Sequence, residues 1–179
     1  MRLTITLAAL SAAALATASV LRNTAYNGCL DVVGDIYEQP KLVLSRCDEV
    51  ENGDWVIDVK DDDSAVIRNA KLFWGDVPLC VGIYLTDDGK PRPTLLPCSV
   101  AVVFNRVEDT SPKSWSFSKK IADDQLALAP LFRLGDRMAV ELLPVTDLQG
   151  NVRLYQWSTS MPKKPKNQEL YDWMRFQGR

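Results

Sequence analysis

Asn27-Gly28-Cys29-Leu30-Asp31-Val32, followed by Leu42-Val43-Leu44-Ser45-Arg46-Cys47, is the stretch on which the fold turns. Two short apolar runs each carry a cysteine, and Trp55 follows. The layout returns with Leu79-Cys80-Val81, Leu95-Leu96-Pro97-Cys98 and Trp115, the two cysteines standing at the same spacing. A third copy without cysteines runs through Leu126-Ala127-Leu128, Met138 to Leu143 and Gln156-Trp157. Three variations on one unit predict an all-β fold with three-fold repetition. No segment shows a long helical period flanked by caps. Six strands closed into a barrel and capped by three hairpins would use units of this size, and closure removes the free sheet edges.

The cysteines fix the compartment. Four of them, an even number, sit in a chain that opens with a short basic start, an apolar run from Leu3 to Leu15 and small residues at Ala16-Thr17-Ala18. This reads as a secretory leader over residues 1–18, and the expected localisation is secreted. Four cysteines allow three pairings; the repeat selects Cys29 with Cys47 and Cys80 with Cys98. Each bridge closes a loop within its own unit, worth about 3 kcal/mol in the chain-entropy picture. Structural zinc is disfavoured because close CxxC pairs are missing.

Composition narrows the chemistry further. Loss of the leader removes Arg2 and takes the formal charge from -2 to -3. That is too mild to suggest nucleic acid, and it supplies no basic surface for anionic membranes. No stretch after the leader is long and apolar enough for membrane insertion. Histidine is absent, which excludes a His-dependent hydrolase and any imidazole metal ligand. Neither a cofactor nor a metal is expected. Carboxylates are plentiful, but nothing in their spacing places two together for glycoside hydrolysis. The Asp61-Asp62-Asp63 run reads as a solvated turn, since its spacing is not that of a calcium loop. A non-enzymatic role follows.

Strands are expected at Trp55–Val59, at Ala65–Ile67 and Ala70–Trp74 around Arg68-Asn69, and at Val100–Phe104, the most β-prone run. Asp87-Asp88-Gly89 marks a hairpin turn, and Lys90 to Pro93 a proline-stiffened loop. Near the end, a Pro/Lys-rich loop at 161–166 precedes an apolar closing segment at 168–176.

The pattern resembles a ricin B-type β-trefoil lectin domain. Cys29-Leu30-Asp31-Val32, Cys47 and Trp55 match its first unit; Cys80-Val81, Cys98 and Trp115 the second; Leu126-Ala127, Leu142 and Tyr155-Gln156-Trp157 the third. The resemblance implies a β-trefoil of three pseudo-repeats of four short strands, formed as a single domain over residues 19–179. It also implies a carbohydrate site. In such domains the Asp after the first cysteine accepts sugar hydroxyls, an aromatic before the second cysteine stacks on the ring, and amides complete the pocket. Asp31 holds the acceptor position, and Asn52 stands where an amide is wanted. Ser45 occupies the aromatic position, so Tyr37, in the following loop, is the candidate stacking residue; Trp74 is the other aromatic outside a unit-closing position. The second unit has Gly82 and Leu96 at the acceptor and stacking positions, and the third has Leu128 or Ala129 in place of the Asp. The expected partner is thus a glycan or glycoprotein, bound through Asp31, Tyr37 and Asn52. The alternative is a protein target, as for an inhibitor or effector, met by exposed loops at 87–93 or 105–113 with Lys90 and Arg92 as contacts.

Overall fold

A computed structural model of the chain describes residues 18–108, 114–131, 138–148 and 155–160. The expected leader (but for residue 18), the loop residues 109–113, the loop at 161–166 and the segment at 168–176 lie outside the described residues. Alternation of apolar side chains within short runs produces strands throughout. In chain order these are β1 (Arg22–Asn23), β2 (Cys29–Val33), β3 (Lys41–Ser45), β4 (Trp55–Val59), β5 (Ser64–Trp74) and β6 (Val77–Leu85). There follow β7 (Pro91–Pro97), β8 (Phe104–Glu108), β9 (Ser114–Ile121), β10 (Asp124–Leu131), β11 (Ala139–Pro144) and β12 (Gln156–Ser158). Two 3-10 turns, Cys98–Val100 and Val145–Leu148, complete the described regular structure. No helix among the described residues is long and apolar enough to cross a membrane.

Pairing between strands sets the architecture. The order β10-β11-β3-β2-β1-β12-β9 returns to β10 through the β9–β10 hairpin and closes a seven-strand barrel. Five strands lie outside it: β8, β5, β6 and β7 continue from β9, and β4 pairs with β5. This corrects the expected β-trefoil of three equivalent four-strand units. Strands β4 to β8, which comprise most of the expected second unit, contribute nothing to the closed ring. The all-β character stands; the three-fold repetition does not.

Trp115 shows why the repeat misleads. Trp55 and Trp157 are 1% and 0% exposed, and their indole N–H groups donate to Leu30 O and Leu128 O, each at 2.9 Å. Trp115 is only half-buried, lies 5.7 Å beneath the Arg106 guanidinium, and leaves its indole nitrogen without a partner. The aromatic volume in this part of the core comes from Phe104 and Phe117, both fully buried. These join Leu21, Leu30, Leu42, Leu128 and the two buried tryptophans in one apolar cluster.

Two of the local differences from expectation concern β5 and the start of β8. The runs around Arg68-Asn69 fuse into the single long β5, because Asn69 is buried and turned inward. Its Oδ1 accepts from Lys71 N and Leu72 N, and its Nδ2 donates to Asn52 O at 2.7 Å. The expected strand at Val100–Phe104 begins only at Phe104, since the chain leaving Cys98 makes a 3-10 turn. The disulfides Cys29–Cys47 and Cys80–Cys98 are formed as the repeat required, each within one hairpin region. Two disulfides are consistent with an oxidising environment.

Candidate functional site

Asp31 sits in β2 with only 5% of its surface exposed. Its neighbours on β2 and β3 point the Asp31 side chain away from the Leu30–Val32 core face, and local donors surround it. Oδ1 accepts from Val32 N at 2.9 Å and Asn52 N at 3.1 Å, and Oδ2 accepts from the Ser45 hydroxyl at 2.9 Å. Asn52 is likewise engaged, its Nδ2 donating to Val32 O at 3.4 Å while its own carbonyl accepts from Asn69. The structure therefore brings Asp31 and Asn52 together, in a cluster that ties the chain before Trp55 to the first hairpin. Tyr37 is elsewhere. At the positions corresponding to Asp31 in the other units there is no room for a ligand. A Cβ on Gly82 would lie 2.5 Å from Leu96 Cδ1, and Leu128 and Ala129 are fully buried.

Tyr37 projects from the turn after β2, where its N–H donates to Asp35 Oδ1 at 2.9 Å. It is 58% exposed and packs edge-to-face on Trp74, with ring centroids 5.7 Å apart and planes at 76°. Trp74 is 48% exposed at the tip of the β5–β6 hairpin. It pairs with Val77 across a turn in which Gly75 takes φ +61°, a conformation suited to glycine. Phe73 and Val77 are also exposed. Tyr37, Trp74 and Val77 thus share one apolar surface, with Phe73 on the opposite side of the ribbon. Asp35, Glu38 and Asp76 are exposed carboxylates in the same two turns. Such a surface offers flat apolar faces beside hydrogen-bond acceptors. Phe73 and Val77 escaped the sequence reading, yet a signal was present. Two consecutive large aromatics directly before a Gly-Asp turn fall at a hairpin tip, beyond the reach of the core.

Lys90 and Arg92, expected side by side on one loop, occupy different settings. Lys90 ends a tight turn closed by Thr86 N to Lys90 O at 3.0 Å and Gly89 N to Thr86 O at 2.8 Å. Its ammonium pairs with Asp88 at 2.7 Å. Arg92 is already within β7, opposite Tyr84. In the other expected loop, Asn105 to Glu108 belong to β8. The Lys90 ammonium, followed by the Thr86 hydroxyl, holds the Asp88 carboxyl down at about 2 from an ordinary 3.8. A depressed carboxyl stabilises the turn fully above its unfolded value, and the effect is lost as pH falls through about 2. Carbon-detected NMR titration should give Asp88 a midpoint near that value, and Lys90→Ala should return it toward 3.8. Asp62 is also held low, chiefly by the Ser64 hydroxyl and then by the Ser64 N–H.

Among the described residues, no three His, Cys, Asp or Glu side chains gather as a metal site. Comparison with protein-family models, curated proteins and solved structures found no match to this chain. The likeness to ricin B-type domains is carried by the sequence motifs alone.

Proposed function

We propose that the chain is an exported, non-catalytic binding protein and that its ligand is a carbohydrate held against the Tyr37–Trp74 pair. The observation that carries this reading is the half-exposed, edge-to-face pairing of those two rings at 5.7 Å. An indole at a hairpin tip contributes little to the core, and its apolar face matches the C–H face of a sugar ring. Carboxylates of the adjoining turns supply acceptors for hydroxyl groups. The leader-like start and the two disulfides support export. The Asp31 cluster plays a structural part here, and the ligand surface keeps Tyr37, the stacking residue expected from sequence, and adds Trp74.

The test is a glycan array probed with the mature protein and with Trp74→Ala. Binding to a defined glycan class should fall tenfold or more in the variant, about 1.4 kcal/mol, while the melting temperature stays nearly constant. A silent array, or binding indifferent to Trp74, would remove the proposal. A protein partner is the second reading, favoured by Val77, which extends the Tyr37–Trp74 surface, and by Phe73, which makes the other side of the same hairpin tip apolar as well.

A further inference from the structure

A second site is carried by the barrel seam. Strands β3 and β11 register through one pair only, Ala139 with Val43, backed by Leu44 N to Met138 O at 2.9 Å. Continued antiparallel pairing would bring Leu42 opposite Val140 and Lys41 opposite Glu141. Instead the strands part there, and a cleft of about 280 Å³ opens between them, with Tyr84 and Arg92 of the β6–β7 hairpin on its outer side. That volume is near the lower end, roughly 300 Å³, of small-molecule sites.

The cleft is held in shape. Thr94 is fully buried, and its hydroxyl donates to Pro40 O at 2.9 Å, fastening β7 to the start of β3. Arg92 stands two residues before Thr94, so its side chain leaves the same face of β7 and is directed toward that side. Pro91 and Pro93 flank it and limit its backbone freedom. Gln39, also lining the cleft, has φ 53° directly before Pro40, a left-handed conformation that is costly for a residue with a side chain.

Its charge is equally distinctive. Arg46, Arg68, Lys71, Lys90 and Arg106 all lie beside carboxylates. The side chains of Lys41 and Arg92, which both line the cleft, have no ion pair or hydrogen bond among the described residues, and neither has the Tyr84 hydroxyl. Two unengaged cations and a phenol therefore face an apolar floor that includes Val43, Ala139 and Val140. A guanidinium offers two parallel N–H donors to a planar carboxylate, and the ammonium adds a second charge. Glu141, on the β11 wall, sets a limit: a single negative charge is accepted more readily than the double charge of a phosphate.

We infer that the cleft between β3, β11 and the β6–β7 hairpin binds a small organic monocarboxylate, its charge on Arg92 and Lys41 and its apolar body on Val43, Ala139 and Val140. The site is separate from the aromatic surface and stands or falls independently of it.

The test is an amide-resolved NMR titration of the intact, oxidised protein with benzoate, benzamide and inorganic phosphate in parallel. Benzoate should produce saturable shifts at Lys41, Leu42, Val140, Glu141 and Arg92, with at least tenfold weaker binding of benzamide and of phosphate. Arg92→Gln and, separately, Lys41→Gln should each weaken benzoate binding several-fold while leaving the rest of the spectrum in place. Absence of saturable shifts in the unmodified protein would overturn the inference. So would benzamide or phosphate binding as well as benzoate, or a folded Arg92→Gln variant that binds benzoate undiminished.

Discussion

Trp157→Ala should lower the unfolding free energy by about 3–5 kcal/mol, and Trp115→Ala by only about 1 kcal/mol, in urea denaturation followed by far-ultraviolet circular dichroism. Trp157 is fully buried in β12, the strand that joins β1 to β9. Truncation there leaves a large void in the apolar cluster and deprives Leu128 O of its indole donor at 2.9 Å. A loss of that size is a large share of the 5–15 kcal/mol that roughly spans whole-domain stability. Trp115 shares the inward face of β9 with Phe117 but is only partly buried, at the margin of the cluster against Arg106, and its indole nitrogen has no bond to lose. Equal losses at the two positions would contradict the difference in enclosure between Trp157 and Trp115.

Asp31→Ala should cost about 3 kcal/mol, shifting the urea midpoint with little change in slope. Three donors would lose a charged acceptor at once: the Ser45 hydroxyl and the Val32 and Asn52 amides. Asp31→Asn keeps an oxygen for the two amides and should recover much of the difference. If the carboxylate served a sugar instead, the alanine variant would keep its stability and lose its ligand. Binding on the Tyr37–Trp74 surface should persist in whatever fraction of Asp31→Ala remains folded.

The residues differ in how openly the sequence declared them. Cys29, Cys47, Cys80 and Cys98 announced their partners because the spacing recurred, and a covalent link within one hairpin depends on little beyond that hairpin. Trp55 and Trp157 were legible for a related reason: a large aromatic in a short apolar run finds the core whichever strands surround it. Trp115 sits in a similar run, Trp115-Ser-Phe117, on the same face as Phe117 and opposite Trp157, yet only Phe117 is fully enclosed and Trp115 stays at the margin of the core. Period-two alternation separates the two faces of a strand, but how deeply each inward residue is enclosed depends on strands far away in the chain. Barrel closure was less legible still. It rests on β1, with two residues, and β12, with three, joined across most of the chain, and no local pattern encodes so distant a pairing. The aromatic surface was half visible, since Tyr37 and Trp74 had no place in the repeat, but their contact required the hairpin tip to meet the turn after β2. The cleft at Arg92 was invisible, because it exists only where two strands fail to continue pairing.

The position of β12 also imposes an order in time on the making of this molecule. A chain emerging end-first as it is made can form the hairpin of β2 and β3 early, and that of β6 and β7 next, since each needs only nearby residues. The gap between β1 and β9 stays open until Gln156–Ser158 arrives to bridge it. The hairpins are local, and β12, the last of the described strands, joins them into the ring. For that interval the nascent protein carries two unpaired strand edges, each a template for pairing with a neighbouring chain.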